Sequence, residues 1–220
     1  LVGAGGVVAL ELVVDLCRSP ELFLQTIGPN QGGGTVHPVK IPDLPGDFDI
    51  GCPVVQLLDC QLPDGGWSLF GGTAAASSGD GVSDPDITGM ALQALAKYQD
   101  QAAVAKATEE ALACMSKQQD ASAGYASWGT TNSESCVQMI VALCELGIPL
   151  DDSRFVKNGK TMLDNLMTFY LPGNGFLHTA DGSGSNQMAS EQAFYGLIAA
   201  QRARDGRNSL YRMGDSLTVT

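Results

Sequence analysis

Asp86-Ile87-Thr88-Gly89-Met90-Ala91-Leu92-Gln93-Ala94-Leu95 opens on an acid, closes on small and aliphatic residues, and carries its apolar side chains at helical spacing. Glu134-Ser135-Cys136-Val137-Gln138-Met139-Ile140-Val141-Ala142-Leu143 and Glu191-Gln192-Ala193-Phe194-Tyr195-Gly196-Leu197-Ile198-Ala199-Ala200 follow the same order. The three acids are 48 and 57 residues apart, the length of two helices plus two connections. A glycine followed by an aromatic lies upstream of each block: Gly66-Trp67, Gly124-Tyr125 and Gly175-Phe176. The unit is a helical hairpin stacked several times, each helix burying one face against the next unit. This predicts an all-α fold of helical-hairpin repeats curved into an arc, with no strand-like alternation.

Local signals set the expected helices. Asp84 is an N-cap with Pro85 at the first helical position, opening a helix to Tyr98. Val104 to Met115 mark a second. Thr131 to Glu134 has capping-box spacing before a third, which Gly147 stops. Phe155, Gly159, Leu163, Leu166 and Tyr170 form the stripe of a fourth, and Ala189 to Ala200 that of a fifth ending near Gly206. Before Pro53 the chain differs. Residues 19–50 hold five prolines and several glycines without an apolar period, and so are loop or linker. Val7 to Leu16 suits a buried helix or a strand, with helix favoured. The expected organisation is an N-terminal segment 1–50, a repeat domain 51–211 and a tail 212–220.

Lys and Arg number 12 against 24 Asp and Glu, a net charge of −12 over 220 residues. Such a charge repels phosphate backbones and anionic lipid, which argues against nucleic-acid partners and peripheral membrane binding. Leu1 to Leu10, the longest uncharged run at the front, falls well short of the roughly 20 residues of a membrane span, so no membrane insertion is expected. A chain opening on Leu1 is expected to be a fragment or processed product, with possible flanking domains missing. The cysteines at 17, 52, 60, 114, 136 and 144 allow three disulfides in principle. Four fall inside apolar helical patterns and there is no C-x-x-C pair, which favours buried free thiols.

Gln61-Leu62-Pro63-Asp64-Gly65-Gly66-Trp67 matches the Q-x3-G-x-W motif of squalene and terpene cyclases. From about Pro53 to Tyr211 the chain resembles the terpenoid cyclase/protein prenyltransferase superfamily. It is most similar to a bacterial cell-surface branch related to the toroid of the cobalamin carriers, transcobalamin and intrinsic factor. The resemblance implies a partial α/α toroid, a secreted or cell-surface location, and Gln61 and Trp67 as a tie between neighbouring hairpins. It also implies that the helix starts after each loop face a central cavity.

Three chemistries have partial motifs at those helix starts. The acid motif D-x-D-D of class II terpene cyclases finds only Asp84-Pro85-Asp86-Ile87, so Asp86 aligns with the proton donor without its partner. The zinc site of prenyltransferases is imitated by Glu134-Ser135-Cys136 with His178 as the nearest histidine, too few ligands for a site. A glycan-cleaving carboxylate pair would draw on Asp86, Glu134 and Glu191. The favoured expectation is a non-enzymatic ligand-binding or adhesion module with no cofactor. Its cavity mouth is formed by Asp86, Glu134, Glu191, Trp67, Tyr125, Trp128 and Phe176, and its ligand is a small molecule or a surface ligand, a corrinoid being one candidate. The alternative is a cyclase- or prenyltransferase-type enzyme acting on a polyprenyl substrate, with Asp86 or Glu134 catalytic, or Glu134, Cys136 and His178 on zinc.

Overall fold

A computed structural model describes residues 51–69 and 81–212. The readings made for residues 1–50 and for the tail beyond Arg212 lie outside them. The chain divides between Asp59 and Cys60 into two units. Of the first, helix α1 (Gly51–Asp59) is described.

The second unit is mainly α-helical. It holds α2 (Pro85–Leu95), continued by a 3₁₀ turn Ala96–Tyr98, then α3 (Ala102–Gln118), α4 (Ser133–Leu146), a 3₁₀ turn Ser153–Phe155, α5 (Met162–Met167), α6 (Gln187–Arg204) and a 3₁₀ turn Leu210–Arg212. Two antiparallel ribbons interrupt the helices. β1 (Ala126–Ser127) pairs with β2 (Thr130–Thr131), and β3 (Tyr170–Leu171) pairs with β4 (Gly175–Phe176). These ribbons correct the expectation of no strands. Among the described residues no helix is long and apolar enough to cross a membrane.

Capping sets where each helix begins. Asp84 accepts from the backbone N–H groups of Asp86 and Ile87, with Pro85 at the first helical position, as the sequence predicts. α4 starts one residue later than the expected capping box. Asn132 is its N-cap and accepts from Ser135 N, while Gly147 at φ 71° ends the helix in the left-handed conformation. Asn186 caps α6 and accepts from Ala189 N.

The fourth predicted helix is largely absent. Asn158 at φ 52° and Gly159 at φ 75° turn the chain back, bridging Lys157 to Lys160. Only Met162–Met167 is α-helical, opened by a capping box between Thr161 and Asp164, and the chain then turns through the β3–β4 ribbon.

One contact recurs before α2, α4 and α6. The N–H of the N-cap donates to the carbonyl of the upstream loop aromatic: Asp84 to Trp67 at 2.8 Å, Asn132 to Tyr125 at 3.3 Å and Asn186 to Phe176 at 2.8 Å. Two glutamines pin two of these loops. Gln61 Nε2 donates to Gly65 O and to Ala107 O in α3, and Gln119 Nε2 donates likewise to Ala123 O and Phe155 O. Gln119 lies six residues before Tyr125, as Gln61 does before Trp67.

α4 packs between α2 on one side and α6 on the other, and every residue from Ser133 to Glu145 is buried. Met139, Ile140, Leu143, Leu92, Leu95, Leu112 and Met115 form the centre of the core. A glutamine chain crosses the three helices. Gln93 Nε2 donates to the Gln138 carbonyl and Oε1, and Gln138 Nε2 donates to Gln192 Oε1. Cys114, Cys136 and Cys144 are buried free thiols, and Cys60 is free and exposed.

The α2–α4 approach is close at Gly89, where an added Cβ would sit 2.9 Å from the Gln138 backbone carbon. In an isolated helix Gly→Ala gains about 1 kcal/mol. Here backbone blocks the methyl, and overpacking of this kind costs about 1–3 kcal/mol. Gly89→Ala is therefore expected to lower the urea-unfolding free energy; an unchanged or raised value would show that α2 and α4 are not this close.

Candidate functional site

The N-terminal ends of α2 and α4 gather Asp84, Asp86, Glu134, Ser127 and His178. Asp84 is the pivot. While one carboxylate oxygen caps α2, the other accepts a hydrogen bond from Ser127 Oγ at 2.5 Å, fixing the β1–β2 ribbon against the helix start. The two residues between these strands, Trp128 at φ 51° and Gly129 at φ 78°, make the tight turn. Left-handed backbone suits Gly129, but at Trp128 the Cβ makes it cost about 1–2 kcal/mol. The Trp128 side chain is nevertheless 70% exposed.

Glu134 is buried in the first turn of α4 and meets His178, which follows β4. Nδ1 of His178 lies 2.9 Å from both carboxylate oxygens. A carboxylate only accepts, so the proton sits on Nδ1 and Nε2 is the acceptor of the neutral tautomer. The imidazole side chain is 44% exposed. The backbone holds the pair in register, since Ser133 N donates to His178 O at 3.0 Å. The Ser133 hydroxyl lies 2.8 Å from Leu177 O and 2.9 Å from Glu134 Oε2, one proton between two acceptors.

Asp86, two residues beyond its N-cap, is the perturbed acid of the group. Burial pushes its carboxyl up to about 6. The negative charges of Asp84 and Glu134 push the same way, and the nearby Ser135 and Ser127 hydroxyls work against them. Asp86 Oδ1 and Ser135 Oγ are both buried without a hydrogen bond of ordinary geometry, so proximity to Ser135 offsets little of the burial penalty.

The structure thus brings together Asp86 and Glu134, adds His178, and leaves other expected residues elsewhere. Glu191 lies five residues beyond Asn186, exposed on α6, whereas Asp86 and Glu134 each lie two beyond their caps. The residue equivalent to them is Met188. Trp67, Tyr125 and Phe176 are buried as covers over the helix starts, so of the four loop aromatics only Trp128 is on the surface.

Cys136 does not join Glu134 and His178. Two residues on along a helix is over half a turn, and its thiol instead donates to Met162 O at 3.2 Å. Burial pushes that thiol far up, away from the thiolate a metal needs. Among the described residues no group of three or more His, Cys, Asp or Glu is placed to hold a metal. One carboxylate and one imidazole do not fit tetrahedral zinc.

Ser127 and Asp84 were missed as partners, being 43 residues apart, and Glu134 and His178 are separated by 44. The sequence signal for Ser127 and Trp128 was a Trp-Gly dipeptide between short polar stretches. No protein-family profile, no curated protein and no solved structure matches the chain.

Asp86 binds its proton more tightly folded than unfolded, where its carboxyl titrates near 3.8. The cost of burying its charge, on the order of 3 kcal/mol, is full above pH 6 and is relieved as pH falls towards 4. Asp86→Asn is therefore expected to stabilise the protein at pH 8, with the gain over wild type shrinking steeply towards pH 4 and vanishing below about pH 3. Urea unfolding of both proteins across that range checks this, and a difference independent of pH overturns it.

Proposed function

We propose that this chain is a non-enzymatic ligand-binding or adhesion module of a bacterial surface protein, built on a partial α/α toroid like that of prenyltransferases and squalene cyclases. Its ligand, a small molecule or a surface ligand, is taken at the helix-start face that gathers Asp84, Asp86, Glu134 and His178, where Trp128 follows Ser127 in the ribbon bonded to Asp84. The observation that carries this reading is Trp128. An indole held 70% exposed on left-handed backbone costs stability, and its neighbour Ser127 is bonded to the carboxylate cluster. Strain that serves no packing is the mark of a functional position. The toroid reading draws support from the recurring bond between N-cap and loop aromatic and from the order α2–α4–α6, in which alternate helices pack side by side.

A second reading, an acid-catalysed enzyme acting on a polyprenyl substrate, is favoured by one observation: the Asp86 carboxyl pushed up to about 6, as a proton donor requires.

Trp128→Asn separates the roles, because Asn tolerates left-handed backbone and Asn-Gly is the preferred turn pair. It is expected to raise stability by about 0.5–1 kcal/mol. It is also expected to weaken, at least tenfold, any ligand found by calorimetric titration against oligosaccharides, a corrinoid and polyprenyl diphosphates. A ligand indifferent to the substitution overturns the binding reading. Turnover of a polyprenyl diphosphate that is lost in Asp86→Asn replaces it with the enzyme.

A further inference from the structure

Three carboxylates, Asp84, Asp86 and Glu134, lie at the starts of α2 and α4, and among the described residues no Lys or Arg forms an ion pair with any of them. Backbone donors that would welcome an anion there are already taken: Asp86 N and Ile87 N by Asp84, Ser135 N by Asn132, and Ser133 N by the His178 carbonyl. Two acceptors are left over. Asp86 Oδ1 and Ser135 Oγ are buried without a hydrogen bond of ordinary geometry, Ser135 at 0% exposure, and the Ser135 hydroxyl lies near enough to the Asp86 carboxyl to act on it. Asp86 itself is only partly buried, so the pair can be approached from solvent. A carboxylate with like charges beside it and no cation is stabilised most by a positive group that also donates hydrogen bonds.

We propose that this face takes the primary ammonium group of its ligand, the nitrogen donating to Asp86 and to Ser135 Oγ while Asp84 and Glu134 add their charge from beside it. The inference rests on the reading of this face as a binding site and names the class of ligand. An anion, a diphosphate included, would meet three carboxylates where four backbone donors are already taken. A neutral ligand leaves the Asp86 charge unopposed. A bare metal ion needs several ligands in one shell, and among the described residues no group of three or more His, Cys, Asp or Glu supplies them. An ammonium needs fewer contacts, because it donates three hydrogen bonds and feels the remaining carboxylates beyond contact distance. A quaternary ammonium carries the charge but no N–H, so it leaves both acceptors unsatisfied. The net charge of −12 draws cations towards the chain.

The full chain is titrated with butylammonium chloride at constant ionic strength and pH 8, where Asp86 is ionised. Amide chemical shifts are expected to saturate, with Asp86, Ser127 and Ser135 among those that move. Butyltrimethylammonium and butanol should bind at least tenfold more weakly. Asp86→Asn should weaken butylammonium at least tenfold and Ser135→Ala at least threefold. Asp151→Asn, which removes an equal charge from the exposed loop after α4, should change it less than twofold. Tighter binding of N-acetyl-lysine amide than of butylammonium assigns the group to a lysine side chain of a partner protein, and the reverse order to a free amine. Shifts that never saturate overturn the proposal, as does equal affinity for the neutral or quaternary probe or for Asp86→Asn. The two readings fail separately. An oligosaccharide, corrinoid or polyprenyl ligand that is weakened by Trp128→Asn but not displaced by butylammonium leaves the binding site standing and removes the ammonium from it.

Discussion

A helix buried on every side must find partners inside the protein for the polar groups it carries, and α4 is such a helix, with only Ser135 Oγ left without one. Its apolar residues need only volume, which α2 and α6 supply on either side. Its polar residues are more demanding, because an unpaired polar group away from water costs about 1–3 kcal/mol. Ser133 and Glu134 draw in the Leu177–His178 segment. Gln138 joins Gln93 to Gln192, and Glu145 takes Ser209 Oγ and Tyr211 N, which fixes the 3₁₀ turn Leu210–Arg212 over the other end. The candidate site is thus a by-product of satisfying one buried helix, and so is the seating of the C-terminal turn.

Much of the fold was legible because helix starts and stops are local. Asp84-Pro85 and Gly147 announce themselves within a few residues, and α2, α3, α4 and α6 follow from apolar spacing. Where the reading slipped, a local signal was outvoted by the apolar period. Phe155 to Tyr170 keeps helical spacing, but Asn158-Gly159 is a turn pair and Thr161 a new cap, and the backbone obeys those. Glu191 was aligned with Asp86 and Glu134 because a shift of three residues nearly preserves a helix face, so apolar pattern alone cannot fix register. The caps do, and they put Glu191 one turn too far along.

The site was only half legible. An acid that opens each repeated helical block is visible in sequence, and Asp86 and Glu134 were found that way. The partners of Asp84 and Glu134 come from a ribbon and a loop 43 and 44 residues distant, brought near by packing. The aromatics misled for a physical reason. A Gly-aromatic pair before a helix marks a ring whose backbone carbonyl receives the N-cap N–H, and a residue so placed turns its ring into the core. Trp128, outside that motif, is the one left in water.

The cysteines carry a consequence for the conditions this domain tolerates. Cys136 and Cys144 are held by burial in their neutral form, the Cys144 thiol pushed up to about 12, and disulfide exchange, alkylation and peroxide oxidation all proceed through thiolate. Among the described residues no cross-link contributes to the fold. None of the described cysteines therefore ties the fold to an oxidising environment. Among the described thiols Cys60, exposed and outside the core, is the one through which an oxidant would first register.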